Sequence, residues 1–226
     1  MTMSDAYKRV AGERALDYVK DGMVLGLGTG STVYYTLQKL GRLVQEGLQI
    51  KGIPTSKATE VMAKELGIPL TNFREHPVLD ITIDGADAVT PKLELVKGGG
   101  GALLREKLVA GASKQMIVIV DESKRVDSFD GVSIPVEVVP FAVETTVERI
   151  RALGGRPTMR QDGDELFVTD NAHYIVDVTF ASVPDVAALH DRLKRLTGVV
   201  ETGLFPDLAS FVIVGSARGV DVVERS

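Results

Sequence analysis

Residues 116–120 read Met-Ile-Val-Ile-Val, and this stretch indicates how the chain folds. A continuous apolar run rich in β-branched residues is typical of a strand buried on both faces, as in a parallel sheet. Working outward from it, shorter strands are predicted at 23–27, 49–53, 79–83 and 93–96. Stripes of apolar residues at helical spacing separate most of these strands. Strands that alternate with helices favour an α/β fold with a doubly wound, mostly parallel, Rossmann-like sheet.

The pattern changes near residue 131. The predicted order becomes strand 134–139, helix 143–153, strands 165–169 and 174–179, helix 186–196 and strand 199–204. This β-α-β-β-α-β order is that of a ferredoxin-like α+β lobe. A last apolar strand at 211–214 is predicted to return to the first sheet. We therefore predict a Rossmann-like lobe from residues 1–130 and 205–226, and a smaller ferredoxin-like lobe from residues 131–204.

Composition excludes several classes of protein. The 226 residues are 44% hydrophobic and 25% charged, which is typical of a soluble globular protein. The absence of cysteine excludes cysteine nucleophiles and thiolate metal sites. The net charge of −5 argues against nucleic-acid binding, and no apolar run approaches the roughly 20 residues of a membrane span. The three histidines lack metal-ligand spacing. We expect a cytoplasmic protein with no metal, no cofactor, no nucleic-acid partner and no membrane contact.

A glycine-rich segment, Gly26-Leu27-Gly28-Thr29-Gly30-Ser31-Thr32, follows the first predicted strand and opens a helix. Backbone N–H groups at a helix start bind phosphate, and Ser31 and Thr32 add hydroxyl donors. The segment lacks the Lys-Ser/Thr pair of a Walker loop, and Ser31 stands where a dinucleotide fingerprint has its third glycine. An anion site and a plain strand-to-helix turn remain equally compatible with this segment.

Two further segments follow predicted strands. Asp84-Gly85-Ala86-Asp87 places two carboxylates where α/β folds bind sugar hydroxyls, although taken alone it is more typical of a capped turn. Lys97-Gly98-Gly99-Gly100-Gly101 precedes a helix that carries Glu106. Each glycine costs about 0.5–1 kcal/mol in regular structure, which favours a functional loop, in which lysine and N–H groups stabilise an oxyanion, over a merely flexible loop.

Lys124 lies in Asp121-Glu122-Ser123-Lys124, at the end of the 116–120 strand. A charged turn of this kind is usually only solvated, but Lys124 is also a candidate anion ligand. Because parallel strands place their carboxyl ends at one edge of a sheet, we expect all four segments to meet in one crevice. Together they suit a phosphorylated, hydroxylated small molecule that undergoes proton transfer.

These segments, in their order along the chain, resemble the type A ribose-5-phosphate isomerase family. The matching segments are 28–32, 84–87, 97–100, 105–107 and 121–124, with further matches at 154–157, 169–171, 198–200 and 203–205. The resemblance covers almost the whole chain. It implies interconversion of ribose 5-phosphate and ribulose 5-phosphate in the pentose phosphate pathway. It also implies a homodimer and a metal-independent enediolate mechanism.

The resemblance also implies roles for individual residues. Glu106 would be the base that moves the proton between C1 and C2, and Lys97 with the glycine N–H groups would stabilise the enediolate oxygen. Asp84 and Asp87 would bind hydroxyls and assist ring opening. The remaining substrate-binding residues would be Thr29, Gly30, Ser31, Thr32, Gly85, Ala86, Gly98, Gly99, Gly100 and Lys124. The role of Lys8 as a further phosphate ligand is left open.

Three other classes compete with this interpretation. A nicotinamide-dependent oxidoreductase is disfavoured because Ile53-Pro54-Thr55-Ser56 stands where an acidic residue should end the second strand. A sugar-phosphate sensor would need a DNA-reading module, and only about twenty residues precede the first strand. A coenzyme A transferase-like enzyme would use a glutamate as its nucleophile, and an acyl adduct trappable with hydroxylamine would identify it.

Overall fold

The computed structural model describes residues 3–224 and shows a mixed α/β protein with a mostly parallel main sheet. The α-helices are α1 Met3–Arg14, α2 Ser31–Gln45, α3 Lys57–Glu65, α4 Leu103–Gly111, α5 Val143–Ala152 and α6 Val186–Lys194, and short 3-10 helices cover Ala15–Tyr18 and Glu122–Lys124. The strands are β1 Val24–Leu27, β2 Lys51–Pro54, β3 Leu79–Gly85, β4 Ala88–Val89, β5 Leu95–Val96, β6 Ser113–Asp121, β7 Ile134–Val138, β8 Arg156–Met159, β9 Gln161–Asp162, β10 Glu165–Leu166, β11 Tyr174–Thr179, β12 Val199–Thr202, β13 Leu204–Phe205, β14 Phe211–Ser216 and β15 Gly219–Glu224. The predicted fold class is confirmed.

Internal contacts divide the chain into two compact units. The first comprises Met1–Ala86, Arg105–Lys124 and Leu208–Ser226, and the second comprises Asp87–Leu104 and Arg125–Asp207. The sequence prediction placed 87–104, 125–130 and 205–207 in the first lobe, so the observed division differs there. The physical reason is strand pairing, because β5 pairs antiparallel with β4 and β13 in a small sheet of the second unit. The prediction included a strand at 93–96 but missed its pairing in this sheet, because β4, β5 and β13 have two residues each.

The first unit holds a six-stranded sheet in the order β15-β14-β6-β3-β1-β2. Strands β1, β2, β3, β6 and β14 run parallel, and β15 is antiparallel to β14. The predicted return of the strand at 211–214 to this sheet is therefore confirmed. Chain order along the sheet reverses at β1, since β2 lies on one side of it and β3 on the other. Such a switch point is where open α/β sheets bind ligands, beyond the carboxyl ends of the strands.

Apolar spacing explains the helices that pack on this sheet. In α2, Val33, Leu37 and Leu40 recur every three or four residues and are all buried in the core of the first unit. Helix α3 begins after Ser56, whose hydroxyl accepts a hydrogen bond from the Thr59 N–H at 3.0 Å. These helices fix the loops that follow β1 and β2.

The second unit contains a four-stranded antiparallel sheet in the order β12-β7-β11-β8. With α5 between β7 and β8, and α6 between β11 and β12, this is the strand order 4-1-3-2 of a ferredoxin-like motif. Its core contains Val136, Ile150, Val178 and Leu193. The ferredoxin-like element predicted from the sequence is therefore present.

One predicted strand of this motif was wrong. The motif's second strand is β8, not the segment 165–169, of which only Glu165–Leu166 is a strand, in a two-stranded hairpin with β9. The residues of β9 and β10 are exposed, so their apolar members do not enter the core. Strand β8 was hidden in the sequence because it contains Pro157, which a sheet tolerates at an edge, where β8 lies.

Within residues 3–224, no helix has the length and apolar character needed to cross a bilayer.

Candidate active site

The glycine loop of the first unit crosses closely over the end of β3. The Gly28 N–H donates to the Ile83 carbonyl at 3.0 Å. A Cβ on Gly28 would lie 2.3 Å from Asp84 Oδ1 and 2.6 Å from the Asp84 Cα, so only glycine fits there. The loop and the carboxylate predicted to meet at the sheet edge are therefore brought together within this unit.

Asp84 is fully buried and holds the glycine loop. Its Oδ1 accepts the Thr29 N–H at 3.1 Å and the Gly85 N–H at 2.8 Å. Both interpretations offered for the 84–87 segment retain support, since Asp84 organises the turn and is also a buried carboxylate at the switch point. A carboxylate is rarely buried completely unless its oxygens are satisfied by donors.

A cluster of hydroxyls that the sequence reasoning missed surrounds Thr29. Its Oγ1 lies 2.8 Å from Thr55 Oγ1, 2.8 Å from Ser56 Oγ and 3.1 Å from Thr59 Oγ1. Thr59 in turn donates to the Gly28 carbonyl at 2.8 Å. The only signal in the sequence was Thr55-Ser56 at the end of the second strand, where a dinucleotide-binding fold has an acidic residue. The cluster fixes the Thr29 side chain in the glycine loop that follows β1.

The helix that follows the loop starts next to two exposed residues, Gly30 and Ser31. Gly30 has φ +121°, a conformation that favours glycine, and α2 begins at the next residue with no acidic side chain in its first turn. Ser31 is exposed and Thr32 is buried. The positive end of the helix dipole at Gly30–Thr32 suits an anion such as phosphate.

The first unit also holds the predicted base. Glu106 lies in the first turn of α4 and is 4% exposed. Its neighbours Arg105 and Lys107 are half-buried, as is Lys124 at the end of a short 3-10 helix. A glutamate this deeply buried is unusual, because a carboxylate loses its hydration when it leaves water.

The second unit holds the predicted lysine. Lys97 is 2% exposed, and its backbone N–H donates to the Gly203 carbonyl at 2.8 Å. Its ammonium nitrogen lies 5.6 Å from the centre of the Phe205 ring, within range of a cation–π interaction. The chain therefore keeps an ammonium group away from water at the start of the glycine run.

The glycine run forms a tight turn in this unit. The Gly101 N–H donates to the Gly98 carbonyl at 2.9 Å, and these two glycines have φ +80° and +103°. The Gly99 N–H donates to Asp87 Oδ2 at 2.7 Å, which ties an otherwise exposed carboxylate to the turn. Asp87 and the glycine run are thus brought together within the second unit.

The remaining candidates are placed as follows: Gly85 and Ala86 are half-buried after Asp84, Gly98 is buried, Gly100 is exposed, and Lys8 lies half-buried on α1. The Asp121 carboxylate accepts hydrogen bonds from the Ser123 backbone N–H and hydroxyl, so this segment forms a turn that is held by its own side chains.

Comparison with known proteins identifies relatives of this chain. The family described as ribose 5-phosphate isomerase A (phosphoriboisomerase A) matches residues 51–219. A ribose-5-phosphate isomerase A from Bacillus mycoides (strain KBAB4) is 50% identical over 214 residues, covering 94% of this chain and 97% of that protein.

Solved structures agree in fold. A D-ribose-5-phosphate isomerase in complex with phospho-erythronic acid has a TM-score of 0.95 at 36% identity, with 100% of both chains covered. The ribose 5-phosphate isomerase from Plasmodium falciparum has a TM-score of 0.94 at 39% identity, with 98% of this chain and 99% of that chain covered. The chain therefore belongs to the ribose 5-phosphate isomerase A family, a family of aldose–ketose isomerases.

Proposed function

We propose that the protein interconverts D-ribose 5-phosphate and D-ribulose 5-phosphate through an enediolate, without a metal, in the non-oxidative branch of the pentose phosphate pathway. The observation that carries the mechanism is the burial of Glu106 and Lys97, which are 4% and 2% exposed. Proton transfer at carbon needs a carboxylate base, and the negative charge that develops on oxygen needs fixed donors.

In the proposed step, the Glu106 carboxylate removes the C2 proton of the open-chain aldose. The electron pair of that C–H bond forms the C1–C2 double bond, and the carbonyl π electrons move to O1. Lys97 and glycine N–H groups stabilise this oxygen. The protonated Glu106 then delivers its proton to C1, while the O2 proton is transferred to O1 and the C2 carbonyl forms. The isomerisation neither adds nor removes atoms or charge, and it needs no external oxidant.

The other roles follow from chemistry at each position. Asp84 and Asp87 bind substrate hydroxyls and assist ring opening, because carboxylates accept hydrogen bonds from hydroxyls and can transfer protons. The backbone and hydroxyls of Thr29–Thr32 hold the phosphate at the start of α2, and Lys124 adds positive charge. The hydroxyl cluster around Thr29 supports this role, since it holds the loop in one conformation.

Protein dialysed against EDTA tests this function directly. We expect it to form ribulose 5-phosphate from ribose 5-phosphate with undiminished turnover. In the same assay, Glu106→Gln should lose about 10²–10⁴-fold in kcat, the usual contribution of a general base. It should still bind phospho-erythronic acid, because that ligand requires no proton transfer. Glu148→Gln, at a glutamate on α5 whose side chain is 69% exposed, is the matched control and should behave as wild type.

Each alternative has its own outcome. Turnover that returns only after a divalent ion is added would contradict the metal-independent mechanism and keep the isomerase. Near-normal turnover in Glu106→Gln would remove this residue from the mechanism. An inactive wild-type protein that still binds the sugar phosphate would favour the sensor over the enzyme.

We further propose that the protein is a cytoplasmic homodimer. Large apolar side chains that remain exposed on the second unit support self-association, since exposed apolar patches mark interaction surfaces. Phe141 is 88% exposed and Val168 is 56% exposed.

A further inference from the structure

Arg160 forms an ion pair with Asp177 beneath the glycine turn of the second unit. Its Nε donates to Asp177 Oδ2 at 2.8 Å, and its Nη2 donates to Asp177 Oδ1 at 2.5 Å. The two side chains are 14% and 26% exposed. Paired parallel hydrogen bonds of this kind fix the plane of the guanidinium as well as its charge. Neither residue was among the site candidates from the sequence.

The third guanidinium nitrogen reaches the turn itself. Arg160 Nη1 donates to the Gly98 carbonyl at 2.7 Å and to the Gly99 carbonyl at 3.1 Å. The backbone of Arg160 is also anchored, because its N–H donates to the Ile175 carbonyl at 2.9 Å and its carbonyl accepts the Phe167 N–H at 3.0 Å. One rigid group therefore holds two consecutive carbonyls of the glycine run.

Because the peptide group is planar, this contact also sets the direction of the N–H groups that follow the two carbonyls. In a trans peptide the carbonyl and the next N–H point in opposite directions, and residues 3–224 contain no cis peptide. With both carbonyls directed at Arg160, the N–H groups of Gly99 and Gly100 point away from it. The Gly99 N–H is bound to Asp87 at 2.7 Å. The Gly100 N–H is thereby aimed to the side of the turn opposite the guanidinium.

We propose that Arg160, fixed by Asp177, is a positioning residue that orients the Gly100 N–H as a donor to the enediolate oxygen. The inference rests on the proposed function, because it assigns a support to the oxyanion donors of that reaction. Glycine peptides flip at little steric cost, and a flip between Gly99 and Gly100 would present a carbonyl dipole where negative charge develops. Arg160 opposes the flip by binding the carbonyl in its present orientation.

Three variants test this role: Arg160→Met removes the donors, Arg160→Lys keeps a cation that cannot form the fork, and Asp177→Asn weakens the anchor. We expect Arg160→Met to lower kcat by about 10²-fold, the effect of misplacing one oxyanion donor by about 1 Å. KM should stay within about 3-fold of wild type, because the interaction belongs to the transition state rather than to ground-state binding. The kcat of Arg160→Lys should be higher than that of Arg160→Met but lower than that of wild type. The kcat of Asp177→Asn should lie between those of Arg160→Lys and wild type.

A second readout separates positioning from general loosening of the site. Ribitol 5-phosphate carries the phosphate and hydroxyls of the substrate but has no carbonyl, so its dissociation constant should be unchanged in all three variants. A kcat for Arg160→Met equal to wild type would overturn the proposal, as would parallel losses of kcat and ribitol 5-phosphate affinity. If Arg160→Met does not fold, Arg160→Lys and Asp177→Asn decide by the same criteria. An inactive wild-type protein would overturn the proposed function itself, whereas an active wild type with an unaffected Arg160→Met overturns only this inference.

Discussion

Neighbouring glycines of the 97–101 turn meet very different surroundings. Gly101 has φ +80°, and a Cβ there would lie 2.3 Å from Phe167 Cζ. A Cβ on Gly100 would meet no described atom within 4 Å. Packing therefore requires glycine at position 101, whereas at position 100 there is room for a side chain. The role proposed for Gly100 depends on its N–H group and not on its lack of a side chain.

This contrast yields a prediction at the residue scale. Gly101→Ala should lower the free energy of unfolding by about 2–5 kcal/mol, because left-handed backbone strain and overpacking against Phe167 both act. Gly100→Ala should change it by less than about 0.5 kcal/mol. Urea unfolding of both variants measures the difference. Equal stabilities would contradict the steric role assigned to Gly101.

At the scale of elements, one carboxylate links three strands of the main sheet. Asp80 on β3 accepts the Val24 N–H of β1 at 2.9 Å and the Lys114 ammonium of β6 at 2.8 Å. The Lys114 hydrogen bond, helped by the Val24 N–H, lowers the pKa of the Asp80 carboxyl, and burial offsets this only partly. The ionised form is therefore the one that stabilises the fold.

The sign of the pH dependence follows. Because the pKa of Asp80 is lower in the folded protein than the value of about 3.9 in an unfolded chain, its contribution is present above that value and is lost as the pH falls through the lowered pKa. Asp80→Asn should lower the free energy of unfolding by about 1 kcal/mol at pH 7, the order of a partly exposed ion pair. The difference from wild type should shrink towards zero at acid pH.

Denaturant unfolding at several pH values measures this effect. Asp164→Asn, at an exposed turn position between β9 and β10, is the control and should show no such pH-dependent difference. If the free energies of unfolding of wild type and Asp80→Asn differ by the same amount throughout the acid range, the ion-pair explanation is contradicted.

At the scale of the whole molecule, exposed apolar side chains bear on assembly. Val139 and Phe141 follow β7 directly and are 38% and 88% exposed. Val168 forms an isolated bridge with Tyr174 on β11, and Tyr174 also pairs with the last residue of β7. These residues therefore lie near the same end of the second unit's sheet. Burying a large aromatic side chain is a frequent source of binding energy between proteins.

Sedimentation should give a mass near twice the 24.3 kDa of one chain. Phe141→Ser should raise the dimer dissociation constant by about tenfold or more, as expected for loss of an aromatic anchor. Val61→Ser, at a residue 56% exposed on α3 of the first unit, should leave it unchanged. A monomeric wild type would rule out the proposed homodimer, and an unaffected Phe141→Ser would place the interface elsewhere.

Much of the fold could be predicted from the sequence, because hydrophobic spacing reports burial locally. The run at 116–120 lies inside β6, the strand predicted at 174–179 has those bounds in the structure, and the strand at 211–214 joins the main sheet. Pairing of short strands was not predictable in this way. A strand was predicted at 93–96, but β4, β5 and β13 have too few residues for a period, so no local signal indicated that they pair in a small sheet and move 87–104 into the second unit.

For the candidate site, the sequence by itself determined which residue types are present and that several of them follow strands. Strand order then placed Asp84 beside the loop containing Gly28. Only the tertiary structure decided how these groups are held. Thr59 reaches Thr29 across 30 positions, and Arg160 reaches Gly98 across 62. Such contacts depend on register and packing between distant segments, and no local periodicity records them.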